Sequence, residues 1–270
     1  MGSGMFPVPG AELYYEVRGS GPVLLTILGG GSDAAMAAPL AEALAARYTV
    51  ITYDRRGFTR SPLSGPPGEQ RVEEHADDAL RLLDASGGTP ALVFASHSGA
   101  LIGLDLLARC PDRVRRLVAH EPPAFGLLPD AGRWLRLSEE TAELCRSEGV
   151  GPAARRLGEE TGMAAPPEPD PRLPEWVRAM LTRMKANLGT SLLYEQLPFS
   201  RYVPDAAALR PLPLVPACGA DTRGPIRDCT LALARRLRAE VAELPGDHVG
   251  YLRLPAEFGA ALHGLLSAAA

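Results

Sequence analysis

The chain has 270 residues, 46% hydrophobic and 22% charged, with a net charge of −4. That is enough apolar material for one large core, and the charge is too low for a disordered tail or a nucleic-acid footprint. No basic stretch leads into an apolar one at the N-terminus, and no apolar run reaches the roughly 20 residues that span a bilayer, so a cytoplasmic protein without membrane or nucleic-acid partners is expected, as monomer or homodimer.

Lys185 is the sole lysine, and Ala, Gly and Pro are abundant, the bias of a high-GC, actinobacterial type of genome. Residues 1–5 read as an added leader and are set aside. Cys110, Cys145, Cys218 and Cys229 are scattered without a Cys-x-x-Cys pair, as expected of buried reduced thiols, and nothing calls for a metal or a cofactor.

Strand and helix periods alternate along the chain. Residues 12–17 read as a hairpin strand, 22–28 as a buried strand, 36–47 as a helix and 49–53 as the next strand. A helix over 72–85, a strand from 91, a helix over 100–109 and a strand over 114–120 follow. Short β-branched runs separated by helices predict a mostly parallel sheet covered on both faces. From about 125 the strands stop: helices over 131–147, 152–160 and 175–188, broken by a Pro-rich loop over 165–174, read as a helical lid. Strands then return over 212–218 and 240–244, with helices over 226–237 and 255–266. The expected organisation is a core over 1–125, a lid over 126–205 and the rest of the core over 206–270.

Ala91-Leu92-Val93-Phe94-Ala95-Ser96-His97-Ser98-Gly99-Ala100 is an apolar strand that breaks into a small-residue turn and an apolar helix. Such a sharp turn holds one reactive side chain at its tip. Two registers fit: Ser98 between Ser96 and Ala100, or His97 between Ala95 and Gly99. Gly29-Gly30-Gly31-Ser32, after another strand, offers a backbone free of Cβ atoms whose amides can face a developing oxyanion, with a second donor from the residue after the tip. Asp221 follows the strand ending at Cys218, and His248 the strand ending at Leu244. Tip, acid and histidine thus come in the chain order of a nucleophile–acid–base triad.

Together with Tyr53-Asp54-Arg55-Arg56-Gly57-Phe58-Thr59-Arg60-Ser61 and Arg109-Cys110-Pro111-Asp112-Arg113-Val114, these segments resemble those of the α/β-hydrolase superfamily, over nearly the whole chain. The resemblance implies the α/β-hydrolase fold, with Asp221 as acid, His248 as base and Gly30 as an oxyanion donor. In that family the proline of the helix exit usually falls fourteen positions after the tip. Counting back from Pro111 selects His97, as does ungapped alignment with relatives that read V-F-G-S-S-S-G-A.

A histidine at the tip changes the expected chemistry. Imidazole moves protons near neutral pH, and two histidines can divide acid and base roles while backbone donors at Gly30 and Ser98 hold an enolate or phenolate oxygen. The leading expectation is therefore a cofactor-free, non-hydrolytic enzyme, a cyclase, lyase or carbon–carbon bond-forming catalyst acting on a polyketide-like small molecule. The alternatives are a serine hydrolase using Ser98, acting on an ester or lactone, and a catalytically silent binding protein. Glu121 is a second candidate acid or a substrate contact, and Trp134, Trp176 and Tyr194 are expected to face substrate from the lid. His75 and His263 read as solvated or packing residues, Asp54 and Arg55 as turn-stabilising, and Asp33 as a helix cap.

Overall fold

A computed structural model describes residues 2–163 and 167–268. Eight strands form one sheet: β1 (Gly2–Val8), β2 (Ala11–Arg18), β3 (Val23–Ile27), β4 (Thr49–Tyr53), β5 (Ala91–Ser96), β6 (Val114–His120), β7 (Leu214–Gly219) and β8 (Ala242–Leu244). Their spatial order is β1-β2-β4-β3-β5-β6-β7-β8, antiparallel from β1 to β4 and parallel beyond. Gly2–Met5, set aside as a leader, pair with Tyr14–Val17 as part of β1. Met1 and part of the Pro-rich loop expected over 165–174 lie outside the described residues.

The central strands β3 and β5 are buried along their whole length, which explains why they read as unbroken apolar runs rather than alternating ones. Helices cover both faces: α1 (Ala34–Leu44), α2 (Val72–Ser86), α3 (Ser98–Arg109), then after the insertion α9 (Pro225–Leu237), α10 (Gly250–Arg253) and α11 (Pro255–Ser267). Two large apolar clusters result, one on each side of the sheet. Asp33 caps α1 by accepting from the Met36 amide, as its position predicts.

Between β6 and β7 the chain is helical: α4 (Ala131–Glu148), α5 (Val150–Thr161), α6 (Glu175–Thr190), a π-turn over Ser191–Glu195, α7 (Gln196–Arg201) and α8 (Ala206–Leu209). Polar contacts fasten this insertion to the loops at the carboxyl ends of the strands. Asn187 donates to the Gly31 carbonyl (3.0 Å) and accepts from the Thr59 amide (2.9 Å), Gln70 donates its amide to Tyr194 (2.8 Å), and Arg183 pairs with Asp33. Among the described residues no helix is long and apolar enough to cross a membrane.

Candidate active site

His97 occupies the tip of the strand-to-helix turn. Its φ of 55° and ψ of −132° lie where non-glycine residues are strained, and it joins the end of β5 to the first residue of α3. The turn fits because two neighbours lack side chains. A Cβ on Gly99 would lie 2.2 Å from the Ile27 carbonyl oxygen, and one on Gly29 would lie 2.4 Å from the Ser98 amide nitrogen. The His97 amide donates to the His120 carbonyl (2.9 Å), which ties the tip to the end of β6.

The Ser98 side chain is buried and turned the other way. Its hydroxyl accepts from the Gly30 amide (2.9 Å) and donates to Glu195 Oε1 (2.6 Å). Glu195, delivered by the π-turn of the insertion, also accepts from Arg55 (2.9 Å), whose guanidinium reaches the Gly30 carbonyl (2.8 Å) and lies over the Phe58 ring. Arg55, expected only to stabilise a turn, is thus fully buried in an ion pair between core and insertion. Gly30, the expected oxyanion donor, has its amide engaged by Ser98. As first residue of α3, Ser98 has an amide free of the intrahelical ladder.

His248 meets a different acid from the one expected. Its Nδ1 lies 2.5 Å from Glu121 Oε2, while Glu121 Oε1 accepts from the Gly219 amide at 2.7 Å. Asp221 is exposed and makes no side-chain contact to His248; its amide bonds the Gly246 carbonyl. The carboxylate that meets His248 therefore comes from the end of β6, not β7. Glu121 has a φ of 52°, a second strained backbone beside the tip, and its amide bonds the Ala217 carbonyl.

Burial alone would raise the Glu121 carboxyl. The hydrogen bond from His248 and the nearby His120 prevail and hold it down at about 2. An ionised carboxylate only accepts, so His248 Nδ1 is the donor of this hydrogen bond. His120 lies behind this pair: Nδ1 is 2.9 Å from Ser96 Oγ, Nε2 is 3.6 Å from Glu121 Oε1, and burial brings the ring down to about 4. Burial, and then the positive fields of His248 and Arg55, lower His97 to about 3, so its ring is neutral near pH 7. Its Nε2 is sealed from solvent without a hydrogen-bond partner.

One recess is bordered by His97 and another by His248. An inner cavity of about 40 Å³ is walled by His97, Ser98, Pro123, Phe125, Glu195 and Phe199, with Ser191, Gln196 and Ser200. An outer groove of about 670 Å³ is bordered by His248, Asp221, Thr222, Arg223, Asp247 and Met163, among others. None of Trp134, Trp176 and Tyr194 lines either recess. Trp134 stacks on Phe125 at 4.6 Å within the insertion, Trp176 is half exposed, and Tyr194 holds Gln70 through its carbonyl. The aromatic lining of the inner cavity comes instead from Phe125 and Phe199. His75 is a buried packing residue bonded to Gln70, and His263 bonds Tyr48. Among the described residues no group of His, Cys, Asp and Glu has metal-binding geometry.

The alpha/beta hydrolase fold family model matches residues 22–204. YraK of Bacillus subtilis (strain 168), named an uncharacterized hydrolase, is 39% identical over 98% of this chain and 96% of its own. The chain belongs to the α/β-hydrolase fold family. Solved structures agree with that fold. A hydrolase from Pseudomonas aeruginosa superposes with a TM-score of 0.77 at 24% identity, covering 98% of each chain. A thermophilic esterase from Thermogutta terrifontis gives 0.76 at 21%, covering 99% of this chain and 100% of its own.

Proposed function

We propose that this α/β-hydrolase-family chain is a cofactor-free enzyme in which the Glu121–His248 pair works as a general base without a serine nucleophile. The observation that carries the reading is the exchange of roles at the turn: imidazole at the tip, and a Ser98 hydroxyl committed to Gly30 and Glu195. A serine activated for attack needs the base within hydrogen-bond reach, and Ser98 has a carboxylate of the insertion there instead.

Glu121 holds His248 in one tautomer and stabilises the imidazolium formed when Nε2 takes a proton. The substrate proton comes from a carbon next to a carbonyl, so an enolate oxygen develops. The Ser98 amide at the helix start is the donor available to it, and the neutral ring of His97 is a second polar contact. Return of the proton to a different atom completes an isomerisation, loss of a leaving group from the enolate completes a lyase reaction, and attack of the enolate carbon on a second carbonyl of the same molecule, with the proton passed from His248 to the new alkoxide, completes a cyclisation. The helical insertion acts as a lid, its Arg55–Glu195 and Asn187 contacts keeping water out of the inner cavity.

A second reading, hydrolysis by a water activated at His248, is favoured by the name of YraK, a hydrolase alike over nearly its whole length. Incubating the protein with small enolisable ketones and with lactones in D₂O, followed by NMR, separates the two. The general-base reading expects deuterium at the α-carbon of ketones, lost in His248→Ala. Lactone opening without α-exchange favours hydrolysis, and activity of either kind surviving in His248→Ala contradicts both.

A further inference from the structure

The inner cavity ends on a carboxylate whose charge is already balanced. Glu195 is 2% exposed, accepts from Ser98 with Oε1 and from Arg55 with Oε2, and still forms part of the wall beside His97. A carboxylate has about four lone-pair sites, so two protein donors leave acceptor capacity unused in a residue that borders the cavity. Because Arg55 supplies the counter-charge, a cationic ligand is not required there. An anion would meet an acceptor-only group in a desolvated space and be rejected. What satisfies the remaining acceptor is a neutral donor.

The rest of the lining gives the other half of the recognition. Pro123, Phe125 and Phe199 are apolar, Ser191, Gln196 and Ser200 are neutral and polar, and the space admits only a few heavy atoms. We infer that the inner cavity is a specificity pocket for a small neutral hydroxyl-bearing head group next to the reacting carbonyl, with Glu195 as the selecting residue. The substrate class is thus an α-hydroxy carbonyl compound, its hydroxyl toward Glu195 and the rest of the molecule toward His97. This deepens the general-base reading, on which it rests for the position of the carbonyl. A site built around a hydrogen bond rejects the analogue that lacks the donor, because its buried acceptor is then left unpaired.

The test compares hydroxyacetone with 2-butanone, which differ by an oxygen in place of a methyl group at the selected position. Binding is read from the NMR shift of the His97 ring, assigned by comparison with His97→Asn, so no turnover is needed. Hydroxyacetone is expected to bind about tenfold or more tightly in the wild type. Glu195→Gln is expected to erase most of that preference. Should Glu195→Gln fail to fold, Glu195→Asp, which keeps the charge and withdraws it by one methylene, is expected to reduce it. Equal affinities in the wild type, absence of binding by both ketones, or an undiminished preference in the variant overturns the inference. The general-base reading fails on a different result, turnover that survives in His248→Ala.

Discussion

The rings of His97 and His248 meet edge to face, with centroids 5.1 Å apart and planes at 81°. One ring stands on the strained tip of the turn, and the other is held from behind by Glu121. An imidazole therefore stands at the tip of the strand-to-helix turn, against the ring that Glu121 holds.

If Glu121 is the partner of the base, its removal costs far more than removal of Asp221. Glu121→Gln should lower the rate of α-deuterium exchange by about 10²- to 10⁴-fold, the usual value of positioned acid–base catalysis. Asp221→Asn should leave it within about twofold, since Asp221 is exposed and does not touch His248. Equal losses in the two variants would return the acid role to the end of β7.

Ser98 is expected to be dispensable for the chemistry. Ser98→Ala frees the Gly30 amide and leaves Glu195 with one donor fewer, so turnover should persist while melting temperature drops by the equivalent of about 1–3 kcal/mol. Exchange kinetics with thermal unfolding on the same sample check both halves. Complete loss of turnover at unchanged stability would assign the hydroxyl a direct role.

Acid stability carries the sign of three lowered pKa values. His97 and His120 sit at about 3 and 4 in the fold, against an ordinary 6.5, so the unfolded chain binds more protons below that value and stability falls as pH drops from 6.5. Glu121, at about 2 against 4.5, adds stability that is complete above 4.5 and is lost as pH falls toward 2. Melting temperature should therefore begin to fall just below pH 6.5, well before ordinary carboxylates titrate. In His97→Asn the decline between pH 6.5 and 4 should be shallower, and an unchanged slope would mean that His97 is not held neutral.

The two tryptophans of the insertion should separate by stability. Trp134 is buried against Phe125, so Trp134→Ala should cost about 3–5 kcal/mol in denaturant unfolding. Trp176 is half exposed, and Trp176→Ala should stay within about 0.5 kcal/mol. Reversed magnitudes would place Trp176, not Trp134, in the packed core of the insertion.

The fold was legible in the sequence because its signals are local. Apolar runs such as 91–96, the cap at Asp33 and the spacing from His97 to Pro111 each depend on neighbours in the chain, and the positions of β5, β6 and α3 follow from them. The choice between His97 and Ser98 came from the family resemblance, through the spacing to Pro111 and the alignment with V-F-G-S-S-S-G-A. The acid was harder to read. Asp221 and Glu121 both follow strands at the same sheet edge, and what separates them is a positive-φ backbone at Glu121 that aims its carboxylate at His248. The hint was that His120-Glu121-Pro122-Pro123 ends a strand at the site edge, where members of the resembled family sometimes carry their acid.

Glu195 had no such hint. It reaches Ser98 through a π-turn 97 positions further along the chain, and its partner Arg55 looks in sequence like any arginine of a polar turn. Contacts of that kind are set by how the insertion docks on the core, which no short pattern encodes. That Trp134 and Trp176 border neither recess was illegible for a related reason: helical spacing places them on an insertion helix but does not say which face covers the pocket.

The most direct test of an imidazole at the tip is labelling with a fluorophosphonate probe, read by intact mass and peptide mapping on the wild type and on His97→Ser. The account predicts no adduct on the wild type and one adduct at position 97 of the variant, where a hydroxyl now stands beside His248 and Glu121. An adduct on Ser98 of the wild-type protein would contradict it.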